Sequence, residues 1–223
     1  MERIVFPIQG KAKNQDLLVK EAEMYGDMLQ GNFLDTYHNI TYKHLTHIYY
    51  INRKCDAPFV VKMDDDVAFK PDTFAKLLKK GGNTYFTSKR VLSGNQMWCV
   101  VWRNAPVRHY GKWNISTSEI TEKIYPPYCS GFAYFTTKQA ISAIAKASHE
   151  VNFFWVDDIF VTGFVARKAL TKRVNAGYLF RYDYEGFKNE NTIFSLTKKE
   201  NLALWINELY KTDDNIINLL NSS

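Results

Sequence analysis

The chain has 223 residues, 46% of them hydrophobic and 15% aromatic, and 29 Lys and Arg stand against 23 Asp and Glu for a net charge of +6. Length and composition argue against disorder and suffice for one α/β domain with a sizeable core. The basic excess suits an anionic ligand such as a nucleoside diphosphate, or is simply a solvated basic surface; with basic residues spread along the chain and no RNA-binding or zinc-finger signature, nucleic acid is not the expected partner.

In chain order, Arg3 to Ile8 reads as a buried strand ending at Gly10. Asp16 to Tyr25 predicts a helix with Asn14 as its candidate cap. Tyr37, Ile40, Leu45, Ile48 and Tyr49 recur at helical spacing, so Leu34 to Tyr50 predicts a helix with one buried face. Phe59 to Met63 is a short apolar strand. Pro71 opens a helix that runs through Leu77 and Leu78 to Gly81-Gly82. Thr84 to Ser88 and Met97 to Trp102 read as strands, and Phe132 to Thr136 as another, followed by helices Lys138 to Ala147 and Asp157 to Ala169. Thr197 and Glu200 form a capping box before a last helix carrying Leu202, Trp205 and Leu209. Strands alternating with helices predict one α/β domain over 1–223, with a mostly parallel sheet flanked by helices.

No apolar run approaches the ~18 residues of a membrane helix, and Met1 to Gly10 lacks a signal-peptide cleavage pattern. Cys55, Cys99 and Cys129 form no CxxC pair; one disulfide with a leftover thiol and three buried thiols are both open. Asn39-Ile40-Thr41, Asn114-Ile115-Ser116 and Asn221-Ser222-Ser223 fit the N-glycosylation pattern, a weak pointer to a secretory location.

Asp64-Asp65-Asp66 is the sharpest local signal. It directly follows Phe59 to Met63, read as a buried strand, and the carboxyl ends of strands line the ligand crevice in open α/β sheets. Three adjacent carboxylates repel one another unless a cation neutralises them. A hard ion, Mn²⁺ or Mg²⁺, would bridge them to phosphate oxygens. The bland alternative is a solvated turn whose acids cap the Pro71 helix.

Four ordered blocks together carry a resemblance. Glu21, Asp27, Phe33, Asp35, Tyr37, Asn39, Thr41 and Lys43 follow one pattern; Lys62-Met63-Asp64-Asp65-Asp66-Val67 is the second block. Lys112-Trp113 with Tyr125-Pro126-Pro127-Tyr128-Cys129-Ser130-Gly131 is the third, and Trp155-Val156-Asp157-Asp158-Ile159-Phe160-Val161-Thr162-Gly163 the fourth. From about Ile4 to Ala169 the chain resembles the β-1,3-galactosyltransferases and related N-acetylglucosaminyltransferases.

That resemblance implies a GT-A-type nucleotide-sugar-binding fold, a UDP-sugar donor, Mn²⁺, and transfer of galactose or an N-acetylhexosamine with inversion to form a β-1,3 linkage. It implies a glycan, glycoprotein or glycolipid acceptor and a place on the lumenal side of the Golgi membrane. Asp64 and Asp66 match the metal motif, with Asp66 the direct ligand, and Lys62 and Asp65 would lie by the donor. Asp158 matches the catalytic base, while Tyr125, Tyr128, Gly131 and Asp157 fall on the acceptor side.

Physically, the acceptor hydroxyl loses a proton as it attacks, so a carboxylate must face it; Asp157 and Asp158 could also merely cap a helix start. Tyr125 to Tyr128 offers rings to stack on a sugar, or is a stiff loop packed on the core. Two departures stand out. The family usually has Glu where this chain has Asp157, and it supplies a metal-binding His beyond the matched helix, whereas His38, His44, His47, His109 and His149 all precede Asp158. The family's first strand, helix and membrane anchor also have no counterpart here, so a longer native product is expected. The alternatives are a catalytically impaired relative that binds glycan or protein, and a metal-dependent phosphohydrolase, which would need a second metal-ligand group.

Overall fold

A computed structural model describes residues 12–26, 28–34, 36–79, 94–183 and 188–196. Helix α1 (Ala12–Tyr25) ends where Gly26, at φ +62°, donates its N–H to Ala22 O at 2.9 Å; the left-handed conformation that closes a helix is open to glycine without a Cβ penalty. A 3₁₀ turn, Tyr37–Asn39, leads into α2 (Ile40–Lys54). Strand β1 (Phe59–Met63) is followed by β2 (Val67–Phe69), α3 (Pro71–Lys79), β3 (Gln96–Cys99) and β4 (Val101–Trp102). After a long excursion come β5 (Tyr128–Cys129), β6 (Ala133–Thr137) and α4 (Lys138–Ala147). A π-helix (Ile159–Val165) with a final α-turn (Ala166–Lys168) then precedes β7 (Lys172–Asn175), β8 (Phe180–Arg181) and β9 (Phe194–Leu196).

The main sheet has the order β1-β6-β3-β7. Strand β6 is antiparallel to both β1 and β3, while β3 and β7 are parallel. Three strands therefore run one way, and β6 is wedged in reverse between β1 and β3. The expected mostly parallel sheet is thus corrected to a mixed one. β1 and β3 keep the common direction of a crossover unit, but the segment after β5 re-enters between them from the opposite end.

Alternation along the central strands sets the layers. Met97, Cys99 and Tyr134 point into a cluster with Ile48 of α2, Ile141 and Ile144 of α4, and Phe160 and Val161 of the π-helix. Trp98, Ala133 and Phe135 point to the other face, against Phe74 of α3 and the small β2-β9-β8 sheet through Phe180 and Phe194. Trp98 and Phe135, opposite each other in register, stack at 5.1 Å. The α/β layering is therefore helices on one face and α3 with a second small sheet on the other.

Several boundaries differ from the sequence expectation. The α2 helix starts only at Ile40, because Asn39 turns its side-chain amide back to donate to Leu34 O and residues 37–39 wind as a 3₁₀ turn instead. The predicted Met97–Trp102 strand is two: after Val100 the chain leaves the main sheet, and β4 pairs with β5. Strand β1 is half-buried rather than buried, since β6 is its one partner among the described residues. Strands β2, β5, β7, β8 and β9 were not anticipated; at two to four residues they carry no readable alternation. Cys99 and Cys129 form a disulfide and Cys55 is a free thiol, which decides between the two cysteine readings. The expected strands Arg3 to Ile8 and Thr84 to Ser88, the helix end at Gly81-Gly82, the last helix, and the Asn221 triplet lie outside the described residues.

Candidate active site

The acidic triplet sits where β1 turns into β2. Asp64 N–H donates to Phe132 O at 2.9 Å, extending the β1–β6 ladder by one rung, and Val67 N–H donates to Asp64 O at 3.3 Å to close a tight turn. Asp65 and Asp66 project from that turn and are exposed. Because β6 runs antiparallel with Met63 opposite Ala133, the end of β1 lies beside the start of β6, where Ser130, Gly131 and Phe132 enter. Lys62 turns inward, not to solvent: its side chain is 16% exposed, and its ammonium donates to Gly131 O and to Asp64 Oδ1, each at 2.6 Å. The turn, Lys62 and the Gly131 segment are one connected unit.

Gly131 joins that unit to the second acidic pair. A Cβ on Gly131 would lie 3.1 Å from Asp158 Oδ2 and 3.4 Å from Asp158 Cβ and Cγ, so only glycine lets the carboxylate settle against the backbone. Asp158 opens the helix and accepts from Ile159 N–H at 2.8 Å through Oδ1. Burial, then the charge of Asp157, push its carboxyl up to about 7.

Asp157 is held differently. Its Oδ2 lies 2.9 Å from His44 Nδ1, and His44 Nε2 lies 2.7 Å from the Tyr134 hydroxyl. Burial works to raise Asp157, but the hydrogen bond and charge of His44 outweigh it and keep Asp157 below the ordinary carboxylate value. Adjacent helical residues diverge by about 100°, which is why one carboxylate meets α2 while its neighbour meets Gly131.

The helix carrying these residues is wound as a π-helix rather than the expected α-helix. Thr162 Oγ1 donates to Asp158 O at 2.5 Å and accepts Cys129 N–H at 2.8 Å, and Arg173 from outside the helix donates to the carbonyls of Thr162 and Gly163. These side chains satisfy groups the regular ladder would otherwise hold. Gly163 allows close approach of the tyrosine–proline loop, since a Cβ there would meet Pro126 Cγ and Tyr128 Cβ at 3.3 Å. Of the two loop tyrosines, Tyr125 is buried and packs on Tyr128 and Phe154 as part of the core, whereas Tyr128 is half-buried. The Tyr128 hydroxyl is pushed up to about 12 by burial and by Asp158.

All nine sequence-selected residues line or border one cleft of about 2210 Å³, whose walls include Asp64, Asp65, Asp66, Lys62, Gly131, Asp157, Asp158, Tyr125 and Tyr128. Its rim carries Tyr37, which accepts the Trp113 indole N–H, with Arg108 over the Trp113 ring. Sequence reasoning missed His44, Tyr134 and Arg108. The available signal for His44 was polar: Thr41, His44 and Ile48 share the buried stripe of α2, and Thr41 donates to Phe154 O.

Among the described residues, no three His, Cys, Asp or Glu side chains converge as a metal cage. His44 cannot complete one, because both ring nitrogens are engaged. The donor set nevertheless fits a hard divalent ion of the substrate-completed kind, in which one or two carboxylates share the ion with phosphate oxygens and water; Asp64 and Asp66, exposed on a tight turn at the cleft, are such a pair.

The sequence model of the family described as galactosyltransferase matches residues 6–176. Over 146 residues the chain is 34% identical to β-1,3-galactosyltransferase 5 of Homo sapiens, covering 64% of this chain and 44% of that protein. It is 30% identical over 167 residues to β-1,3-galactosyltransferase bre-2 of Caenorhabditis elegans, covering 74% and 46%. It is 27% identical over 147 residues to N-acetyllactosaminide β-1,3-N-acetylglucosaminyltransferase 3 of Homo sapiens, covering 65% and 37%. The chain spans about half the length, or less, of these relatives. A crystal structure of a glycosyltransferase involved in the glycosylation of the major capsid of PBCV-1 aligns over 93% of this chain and 98% of that one, with a TM-score of 0.40 and 13% identity.

Proposed function

The chain belongs to the galactosyltransferase family, and from that premise we propose that it transfers galactose or an N-acetylhexosamine from a UDP-sugar to a glycan acceptor, on a glycoprotein or glycolipid, with inversion to a β-1,3 linkage. One observation carries this reading: the acidic turn and Asp158 face a single cleft and are joined through Gly131. Asp158 takes the proton of the attacking acceptor hydroxyl. Attack comes from the face opposite the diphosphate, the bond from the sugar to UDP breaks, and the configuration inverts. Asp66 and Asp64 would hold Mn²⁺ or Mg²⁺, which neutralises charge building on the leaving diphosphate. Lys62 orients Asp64, and Tyr128 lines the acceptor side. The Cys99–Cys129 disulfide suits an oxidising lumen, in keeping with a Golgi location. No helix among the described residues is long and apolar enough to cross a membrane.

The direct test is UDP release over a panel of UDP-hexoses with β-linked glycan acceptors and Mn²⁺. Acceptor-dependent release from UDP-galactose or a UDP-N-acetylhexosamine, lost on chelation, is expected. Absence of any acceptor-dependent release sinks the reading; a UDP- and Mn²⁺-dependent heat without turnover would leave a catalytically impaired glycan-binding relative.

Two further outcomes follow from the geometry. Asp158 acts as a base only when ionised, so kcat/KM is expected to rise with pH through about 7, the value to which burial and Asp157 push its carboxyl. A rate profile flat between pH 5.5 and 8.5 would remove Asp158 from the role. Gly131→Ala would drive a methyl into the Asp158 carboxylate. The carboxylate must give by a few tenths of an ångström; a shift of about 1 Å in a reacting group costs about 10²-fold, so turnover should fall by less than that, by about 3–10-fold, while the protein stays folded by circular dichroism. Normal turnover in Gly131→Ala would mean that Asp158 does not act from this position.

A further inference from the structure

His44 is buried within α2, 3% exposed, yet both ring nitrogens are committed to polar partners on other elements. Asp157 is a pure acceptor once ionised, so Nδ1 carries the proton toward it. Burial keeps the Tyr134 hydroxyl protonated, and at 2.7 Å that hydroxyl can donate to Nε2 or accept from it. Tyr134, His44 and Asp157 thus form one connected chain that ends at the Asp157 carboxylate. One turn earlier Thr41 donates to Phe154 O, so α2 holds segment 154–157, which leads into the π-helix, at two points. Thr41 alone would dock that segment; His44 does something more specific, because it grips the residue adjacent to the proposed base.

We propose that His44 is a positioning residue for transfer: it ties Asp157 to Tyr134 through its two nitrogens, withdraws Asp157 from proton transfer, and leaves Asp158 as the base beside a fixed negative charge. The inference rests on the transferase reading above, with Asp158 as base. Two neighbouring carboxylates of equal standing would share one proton and blur the assignment; a donor aimed at one of them separates the roles. The charged groups facing Asp158 are Asp157, Lys62 and Asp64, and the hydroxyls of Tyr37, Tyr125 and Tyr128 lie within reach of its field. Lys62 is already committed to Asp64 and Gly131. Asp157 is thus the neighbour whose charge the protein regulates, and His44 is what regulates it.

The amide nitrogen of asparagine can stand near the Nδ1 position of histidine, and that of glutamine near Nε2. His44→Asn therefore keeps a donor to Asp157 and gives up Tyr134, whereas His44→Gln keeps a partner for Tyr134 and strands Asp157. We compare kcat, donor KM, the pH–rate limb and melting temperature of the intact protein and both variants, with the UDP-sugar found active for the wild type. Expected for His44→Asn is turnover within about 3-fold of wild type and an unmoved limb. Expected for His44→Gln is a kcat lower by about 10–100-fold, the usual size of losing an orienting partner, with donor KM within about 2-fold. Its limb should move below the wild-type position, because Asp157, buried without its donor, takes up a proton and no longer opposes ionisation of Asp158. A role confined to packing predicts something else: both variants lose activity in step with melting temperature and the limb stays in place. That result, or active His44→Gln alongside inactive His44→Asn, overturns the proposal. Wild-type protein with no turnover on any donor overturns the transferase reading and takes this role with it.

Discussion

Asp158→Asn is expected to lower turnover by about 10²–10⁴-fold, the usual contribution of a general base, with donor affinity unchanged. The substitution keeps the size of the side chain, and the amide oxygen can still accept from Ile159 N–H, so the helix start survives. What it removes is proton acceptance at the atom packed against Gly131. The donor diphosphate is assigned to the other wall of the cleft, at the Asp64–Asp66 turn, so UDP binding measured by calorimetry should match the wild type. Asp157→Asn should be the milder change, since Asp157 faces His44 and not the reacting hydroxyl. Near-normal turnover in Asp158→Asn, or a greater loss in Asp157→Asn, would reassign the base.

Asp66→Ala should abolish metal-dependent UDP binding and leave the fold unaltered. Asp66 is exposed on the turn, where substitutions usually shift stability by no more than about 0.5 kcal/mol. In the wild type, ligand at 100 times its Kd stabilises by about 2.7 kcal/mol, which for a domain of this size is a rise in Tm of about 5–10 °C. That rise, with Mn²⁺ and UDP added together, should vanish in Asp66→Ala. Asp64→Ala should also weaken binding, with an added effect on Lys62, whose ammonium would lose one of its two partners. An undiminished rise in Asp66→Ala would move the metal elsewhere.

Much of the architecture was legible because it depends on local pattern. Phe59–Met63 and Lys138–Ala147 occur as read, the former as an apolar run and the latter as a helix whose apolar positions recur at three and four residues and whose Thr137 caps Ala140 N–H. The acidic turn was legible as well, since three carboxylates in a row are conspicuous in any context. Short strands such as Val67–Phe69 and Phe194–Leu196 were not, because their identity lies in their pairing with each other.

By itself the sequence determined the α/β class, the acidic turn after β1, the two aspartates at a helix start, and the family these motifs signal. All are encoded within windows of a few residues, where propensity, spacing and charge act directly. The tertiary structure decided the rest. It reversed β6 between β1 and β3, which places Gly131 beside Asp64 across a register no local signal specifies. It brought His44, 113 residues distant in the chain, to within 2.9 Å of Asp157, and so distinguished two adjacent carboxylates with the same intrinsic chemistry. It also wound the helix after Asp158 as a π-helix, with Gly163 against the tyrosine–proline loop. The reason is common to all three: a carboxylate's role depends on what desolvates it and what donates to it, and those neighbours come from elements far away in sequence.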